Sequence, residues 1–309
     1  MYFGPPPQVL ETSVFSEVPD DIRHAMPKVK SGKLHCFLEG PSFDLAGNLY
    51  VVDIPYGRVL RVSPEKKWDV VAEYDGEPNG LKIHRDGRLF ITDRKMGLIT
   101  VNPANGEVTP VLAGPSAKER FKGVNDLIFA ANGDIYFTDQ GRTGLQDPTG
   151  RVYRYDMRAD KLQCLIDNVP SPNGLVFNVR ETALFVAVTR ANCLWRIPLK
   201  AAPGAGGEWE PRQIDAVSLF VQLFSSGPDG LAVDEEGNVV VTHPTVGKVW
   251  LFSKYGVPLY QINSCKSDMT TNVAYGGPGR KTLYIVESRS CSILTVDLPV
   301  PGKKMFSHT

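Results

Sequence analysis

The chain has 309 residues, 42% of them apolar and 22% charged, which is ample material for a large core. Its 34 Lys and Arg balance its 34 Asp and Glu, so nothing in the charge points to a nucleic acid or an anionic membrane as partner. The start, MYFGPPPQVLETS, lacks the basic and apolar regions of a secretion signal, no apolar run nears the roughly 20 residues of a spanning helix, and there is no N-x-S/T sequon; the expected location is cytoplasmic.

In chain order, residues 1–38 show only a weak helical period, over Glu11 to Met26. The first clear element is EGPSFDLAGNLYVVD from Glu39: an oxygen-bearing residue, small or apolar residues, a turn, a β-rich run and an acid. The alternating stretch GRVLRVSP (57–64) follows, and the plan then returns without a gap as NGLKIHRDGRLFITD from Asn79, followed by GLITVNPANG (97–106). After a second weak helical period at Ser116 to Lys122 come NDLIFAANGDIYFTD from Asn125, the loop 141–149 and GRVYRYDMRADK (150–161). The fourth copy, NGLVFNVRETALFVAV from Asn173, leads to a Gly-Ala-Pro-rich outer loop at 200–213. DGLAVDEEGNVVVTH from Asp229, GKVWLFSKYG (247–256) and NVAYGGPGRKTLYIVE from Asn272 complete the series.

Six copies at intervals of 40, 46, 48, 56 and 43 residues match the span of a four-stranded propeller blade. The fold class expected is therefore all-β: a six-bladed β-propeller of four antiparallel strands per blade, one domain over 1–309. A propeller must join its ends, so a strand from within 8–38 is expected to complete the sixth blade, whose core lies at 272–298. The five cysteines, Cys36, Cys164, Cys193, Cys265 and Cys291, are odd in number and never paired as CxxC. They read as small buried apolar residues, with no disulfide framework or zinc knuckle indicated.

Each copy opens on Glu39, Asn79, Asn125, Asn173, Asp229 or Asn272. Inner strands line the axial channel of a propeller, so these positions form a ring at one end of it. A ring of carboxylates and carboxamides suits one hard divalent cation, calcium first, with magnesium, manganese and zinc left open. The competing reading is that Asn-Gly and Asp-Gly are only turn formers; it accounts poorly for Glu39 and Asn272 in the same register. A second set, Asp53, Asp93, Asp139, His243 and Glu287, ends each hairpin and reads as structural. His84 and His308 read as surface residues, and His24 and His35 have no assignable place. The elbow of serine hydrolases, the HExxH of zinc proteases and the phosphate and dinucleotide loops are all absent from the sequence.

EGP at 39–41, GVND at 123–126, PNGL at 172–175, GPDGL at 227–231 and FTDQGRTGLQDPTGRVYRYD at 137–156 together resemble the SMP-30/gluconolactonase family, from about Leu38 to Leu298. The resemblance implies a metal-dependent lactone hydrolase whose cation is held by Glu39, Asn173 and Asp229, with Asn125 completing or adjoining the site. For such hydrolysis Asp229 is the candidate general base, with Asn125 on the developing charge, and Asn79, Asn125 and Asp126 are the candidate substrate-binding groups. Gly123 stands where sugar lactonases of the family often carry Arg, and Phe43 where Trp is frequent, which shifts the expected substrate toward a less polar lactone. The partner expected is thus a small-molecule lactone, with neither nucleic acid nor membrane. Organophosphate or aryl-ester hydrolysis at the same metal, or a non-enzymatic scaffold with structural calcium, are the alternatives.

Overall fold

A computed structural model describes residues 4–24, 36–200 and 212–309. Short β-rich runs separated by tight turns can pair only with their sequence neighbours, and every repeat closes on itself as an antiparallel sheet. Blade 1 comprises Leu38–Phe43, Leu49–Asp53, Arg58–Val62 and Trp68–Glu73, and blade 2 comprises Pro78–Ile83, Leu89–Asp93, Gly97–Val101 and Val108–Leu112. Blade 3 is built from Val124–Phe129, Ile135–Asp139, Gly150–Asp156 and Lys161–Val169; blade 4 from Pro172–Phe177, Ala183–Val188, Cys193–Pro198 and Ser218–Gln222. Blade 5 runs Leu231–Val233, Val239–His243, Lys248–Phe252 and Pro258–Asn263, and blade 6 runs Thr270–Gly276, Thr282–Glu287 and Ser292–Asp297. This is the six-bladed β-propeller read from the repeat.

The fourth strand of blade 6 is Ser13–Glu17, paired antiparallel with Ser292–Asp297, so the N-terminal segment closes the ring as expected. A fifth strand, Gln8–Glu11, adds to blade 5 in parallel with Pro258–Asn263, which the repeat gave no reason to expect. Over the described part of Glu11 to Met26 the weak helical period is accordingly overruled: among the described residues there, only Asp20–His24 is helical. Residues 116–122 are not helical either, Ser116 and Glu119 forming an isolated bridge. Open sheet edges offer a full row of backbone partners, whereas a one-turn helix has too few bonds to persist unaided.

The described core falls into six wedges, each between neighbouring blades rather than inside one. Val52, Val59, Leu81 and Ile91, for example, pack blade 1 on blade 2, and Val51, Leu60, Val286 and Ile293 pack blade 6 on blade 1. His84 is a correction to the surface reading: it sits against the rings of Phe90, Phe129 and Phe306, the last supplied by the C-terminal segment. Of the 200–213 loop, residues 201–211 lie outside those described, as does His35; the loop's ends pair where Leu199 meets Ile214.

Two cysteines overturn the reading of all five as isolated thiols. Cys36 and Cys291 form a disulfide with Cα atoms 6.0 Å apart and a sequence separation of 255. Ring closure alone brings them together, one just before blade 1 and one in the last turn of blade 6, which is why spacing could not reveal the pair. Cys193 is buried, and Cys164 and Cys265 are exposed. A bond spanning nearly the whole ring restricts the unfolded chain strongly. Replacing Cys36 by Ser should therefore cost about 2–5 kcal/mol of unfolding free energy, read as a lower denaturation midpoint that matches the wild type under reducing conditions.

Candidate functional site

The six ring positions do arrive together at one end of the axis. Glu39, Asn125, Asn173 and Asn272 are buried, and Asn79 and Asp229 are half-buried. In five blades the inner strand is irregular where the ring residue sits: the register shifts between Glu39 and Ser42, Pro78 and Gly80, Val124 and Leu127, Pro172 and Leu175, and Thr270 and Asn272. A bulge of this kind re-aims a side chain that a regular ladder would point into the blade.

The glycine after the ring residue has a packing role that corrects the turn reading. A Cβ on Gly40 would stand 2.8 Å from Asn79 O, one on Gly80 2.8 Å from Asn125 O, one on Gly174 2.4 Å from Asp229 O, and one on Gly230 2.6 Å from Asn272 Cα. At these four junctions the inner strands approach too closely for a side chain, whereas blades 3 and 6 carry Asp126 and Val273 at the same position.

Hydroxyls in each neighbouring blade then fix the carbonyls of this layer. Thr92 Oγ1 donates to Asn125 O (2.5 Å), Thr138 Oγ1 to Asn173 O (2.8 Å), Thr189 Oγ1 to Pro228 O (2.8 Å) and Thr242 Oγ1 to Thr271 O (2.8 Å). Ser288 Oγ adds the junction of blade 6 with blade 1 by donating to Leu38 O at 2.6 Å. The recurrent Thr before the hairpin-ending acid, in ITD, FTD and VTH, was the available signal for this clamp, and it went unread.

The electrostatics are those of carboxylates held out of water. Asn272 Nδ2 (2.9 Å) and Gly40 N (3.0 Å) both donate to Glu39 Oε2. Burial nonetheless pushes Glu39 up to about 7, with the nearby Asp126 charge adding to the rise. Asp229 is raised well above the usual carboxylate range by burial and by the charges of Glu39 and Asp126, against a hydrogen bond from Asn173. Asp126, buried beside the ring, accepts Leu127 N at 2.8 Å and lies 3.8 Å from Lys82 Nζ.

Converging carboxylates, of which Glu39 and Asp229 are raised by burial and by neighbouring negative charge, fit a divalent cation, whose charge would relieve them. Among the described residues no group of three or more His, Cys, Asp or Glu side chains forms a chelating cluster by itself, so an ion here would also need amide oxygens. The donor set of Glu39, Asn173, Asp229 and Asn125 has that composition. Asn125 is oriented by a chain absent from the sequence reading: its Nδ2 donates to Gln140 Oε1 (3.0 Å), and Gln140 Nε2 donates to Ser171 Oγ (3.0 Å).

The second residue set is structural. Asp53 bonds Phe37 N and the buried Arg58, Asp139 bonds Lys122 N and Gly123 N, Glu287 bonds Met269 N, and His243 Nε2 bonds Ser225 O. Each thereby fastens the chain just before an inner strand. The loop 141–149 adjoins the ring end: Thr143 Oγ1 donates to Gln140 O at 2.7 Å and accepts Ser171 N at 3.0 Å. Two substrate indicators change meaning. Phe43 is buried against Tyr284, in the wedge between blades 6 and 1, and Arg94 of the neighbouring blade places Nε 3.5 Å from where a Cβ of residue 123 would stand.

Fold and site together define a propeller with an oxygen-only ring at one mouth of its channel. The SMP-30/gluconolactonase/LRE-like family model matches residues 37–289, and the chain belongs to that family. Lactonase drp35 of Staphylococcus aureus is 30% identical over 244 residues, 77% of this chain and 73% of its own length. Among solved structures, regucalcin, a calcium-binding protein of Agrobacterium tumefaciens, superposes with a TM-score of 0.75 at 20% identity, covering 97% of each chain. A gluconolactonase of Xanthomonas campestris superposes at 0.73 with 23% identity, over 85% of this chain and 86% of that one. These two likenesses show the fold.

Two outcomes follow from the packing and the charges. Gly174→Ala forces Asp229 to move, so calorimetry should show calcium affinity falling by about tenfold or more, roughly 1.4 kcal/mol; Gly87→Ala, in an open outer turn, should leave that affinity unchanged. Because the folded state favours protonated Glu39, the cation-free protein should lose stability as pH rises from 4.5 through about 7. A cation at this ring would need the ionised form, so any stabilisation by calcium should grow across the same window, measured as melting temperature with chelator and with calcium.

Proposed function

We propose that this chain is a metal-dependent lactonase, opening a cyclic ester at the ring end of its channel. The observation that carries the reading is the set of carboxylates, buried Glu39 and Asp126 with half-buried Asp229, gathered with oriented amides at one end of the axis. Its membership of the family and the printed name of its staphylococcal relative support the same reaction. Glu39, Asn173, Asp229 and Asn125 would hold one divalent cation, calcium by the hardness of the donor set, and that cation would supply Lewis-acid polarisation of the lactone carbonyl.

Asp229 is the proposed general base. Its burial beside two other acids raises its affinity for a proton, which suits it to take one from the attacking water, although a bound cation lowers that basicity again. Asn173 holds the Asp229 carboxylate in place. Asn125, its Nδ2 fixed by Gln140, and Asn79 and Asp126 line the substrate side. Exposed Leu145 and Phe224 on the loops near this mouth favour an apolar substituent on the lactone, while Arg94 offers a cation for a polar one. The location proposed is the cytoplasm, as expected from the sequence, and the Cys36–Cys291 bond is the observation that speaks for an oxidising compartment instead.

The test is a panel of sugar-derived and aliphatic lactones, with an aryl ester and an organophosphate for comparison. Protein stripped by chelator would be returned to calcium, magnesium, manganese or zinc. Calcium-restored turnover of lactones, with Asp229→Asn lowering kcat by about 10²-fold or more and Gln140→Leu raising KM, is the expected result. Cation-dependent stabilisation without turnover of any substrate would overturn the enzyme reading and leave a structural metal.

A further inference from the structure

Beyond the ring, toward the other end of the axis, the channel holds a cavity of about 200 Å³. An engineered apolar cavity of about 150 Å³ takes up benzene, so this one has room for a small organic molecule. Its wall comes largely from the position three residues after each ring residue. That position carries Ile128, Val176 and Ala232 in blades 3, 4 and 5, but Lys82 in blade 2. The C-terminal segment covers the far side with Met305 and Phe306.

The charges around this space are unbalanced. Lys82, Arg85, Lys303 and Lys304 line it with Glu181 as the one acid. Lys303 Nζ is bonded to Glu181 Oε1 at 2.9 Å, and Arg85 donates to Phe306 O at 3.3 Å and to Thr309 Oγ1 at 2.8 Å. Lys82 Nζ reaches Leu81 O at 3.1 Å, while its nearest carboxylate oxygen, Asp126 Oδ1, stands at 3.8 Å, beyond hydrogen-bond range. An ammonium in an apolar ring is costly unless something bonds its charge. Neutralising Asp126 at that distance is a weaker reason for a lysine than receiving an anion.

We propose that this cavity is a second binding site, for a small monocarboxylate with an apolar tail of about six to eight carbons. The carboxylate accepts a hydrogen bond from Lys82 Nζ, and the tail lies against Ile128, Val176 and Ala232 under Phe306. Charge complementarity selects the anion, and the apolar walls select its tail. The site stands independently of the reaction at the ring.

Octanoate is the probe, with 1-octanol as its uncharged counterpart, titrated into the full chain by calorimetry and by NMR of ¹³C-methyl methionine. Among the described methionines, Met305 alone lines the cavity. Saturable octanoate binding that shifts the Met305 signal, with octanol about tenfold weaker or worse, is expected. Lys82→Gln should remove that preference while leaving octanol binding unchanged, and Ala232→Phe, which fills the space, should abolish both. Equal binding of acid and alcohol, an unmoved Met305 signal while Met96 or Met269 near the ring shifts, or undiminished octanoate affinity in folded Lys82→Gln would each overturn the proposal.

Discussion

Everything at the ring depends on how closely six inner strands meet around one axis. The contact is backbone on backbone: Gly40, Gly80, Gly174 and Gly230 each lie where a Cβ would run into the next blade's ring residue. That approach places oxygen-bearing side chains of different blades at one point, and it expels the water that would otherwise separate their charges. The raised proton affinities of Glu39 and Asp229 follow from it, because burial and like charge both penalise the ionised form. The threonine and serine hydroxyls that pin this layer's carbonyls keep the layer from relaxing apart under its own repulsion.

The wedge construction of the core explains why such a layer can be maintained. Each apolar cluster is shared by two blades, so a blade cannot shift alone without uncovering both of its faces. Closure therefore matters more than the strength of any one sheet. The chain closes itself three times over: with Ser13–Glu17 on blade 6, with Gln8–Glu11 on blade 5, and with the Cys36–Cys291 bond.

What the sequence disclosed and what it hid divide along one line. The repeat, the blade count and the ring were legible because each blade states them in the same register, Glu39 answering to Asn79, Asn125 and the rest. The hairpin-ending acids could be read as structural for the same reason, and Asp53, Asp139 and Glu287 are each engaged with the backbone that precedes an inner strand. Features that arise once, between residues far apart, were not legible. Cys36 meets Cys291 only after the circle is closed, Gln8–Glu11 finds an edge that no repeat announces, and Gln140 orients Asn125 from a loop that interrupts the pattern. Phe43 misled for the converse reason: it shares a strand with the ring residue Glu39, but past the register shift between Glu39 and Ser42 its own side chain lies in the wedge against Tyr284.

Lys82 shows how a departure from the repeat can carry more information than the repeat. Three residues after the ring, blades 3, 4 and 5 place Ile128, Val176 and Ala232, as an axial channel with dry walls requires. A lysine in that series gains nothing from packing and pays for its lost hydration. Its ammonium lies between two regions of opposite demand: a group of acids at one end of the channel, led by Asp126 at 3.8 Å, and a positively charged, apolar-walled space at the other. The same residue therefore stands 3.8 Å from an acid beside the ring while carrying the cation proposed to hold an anion in the cavity.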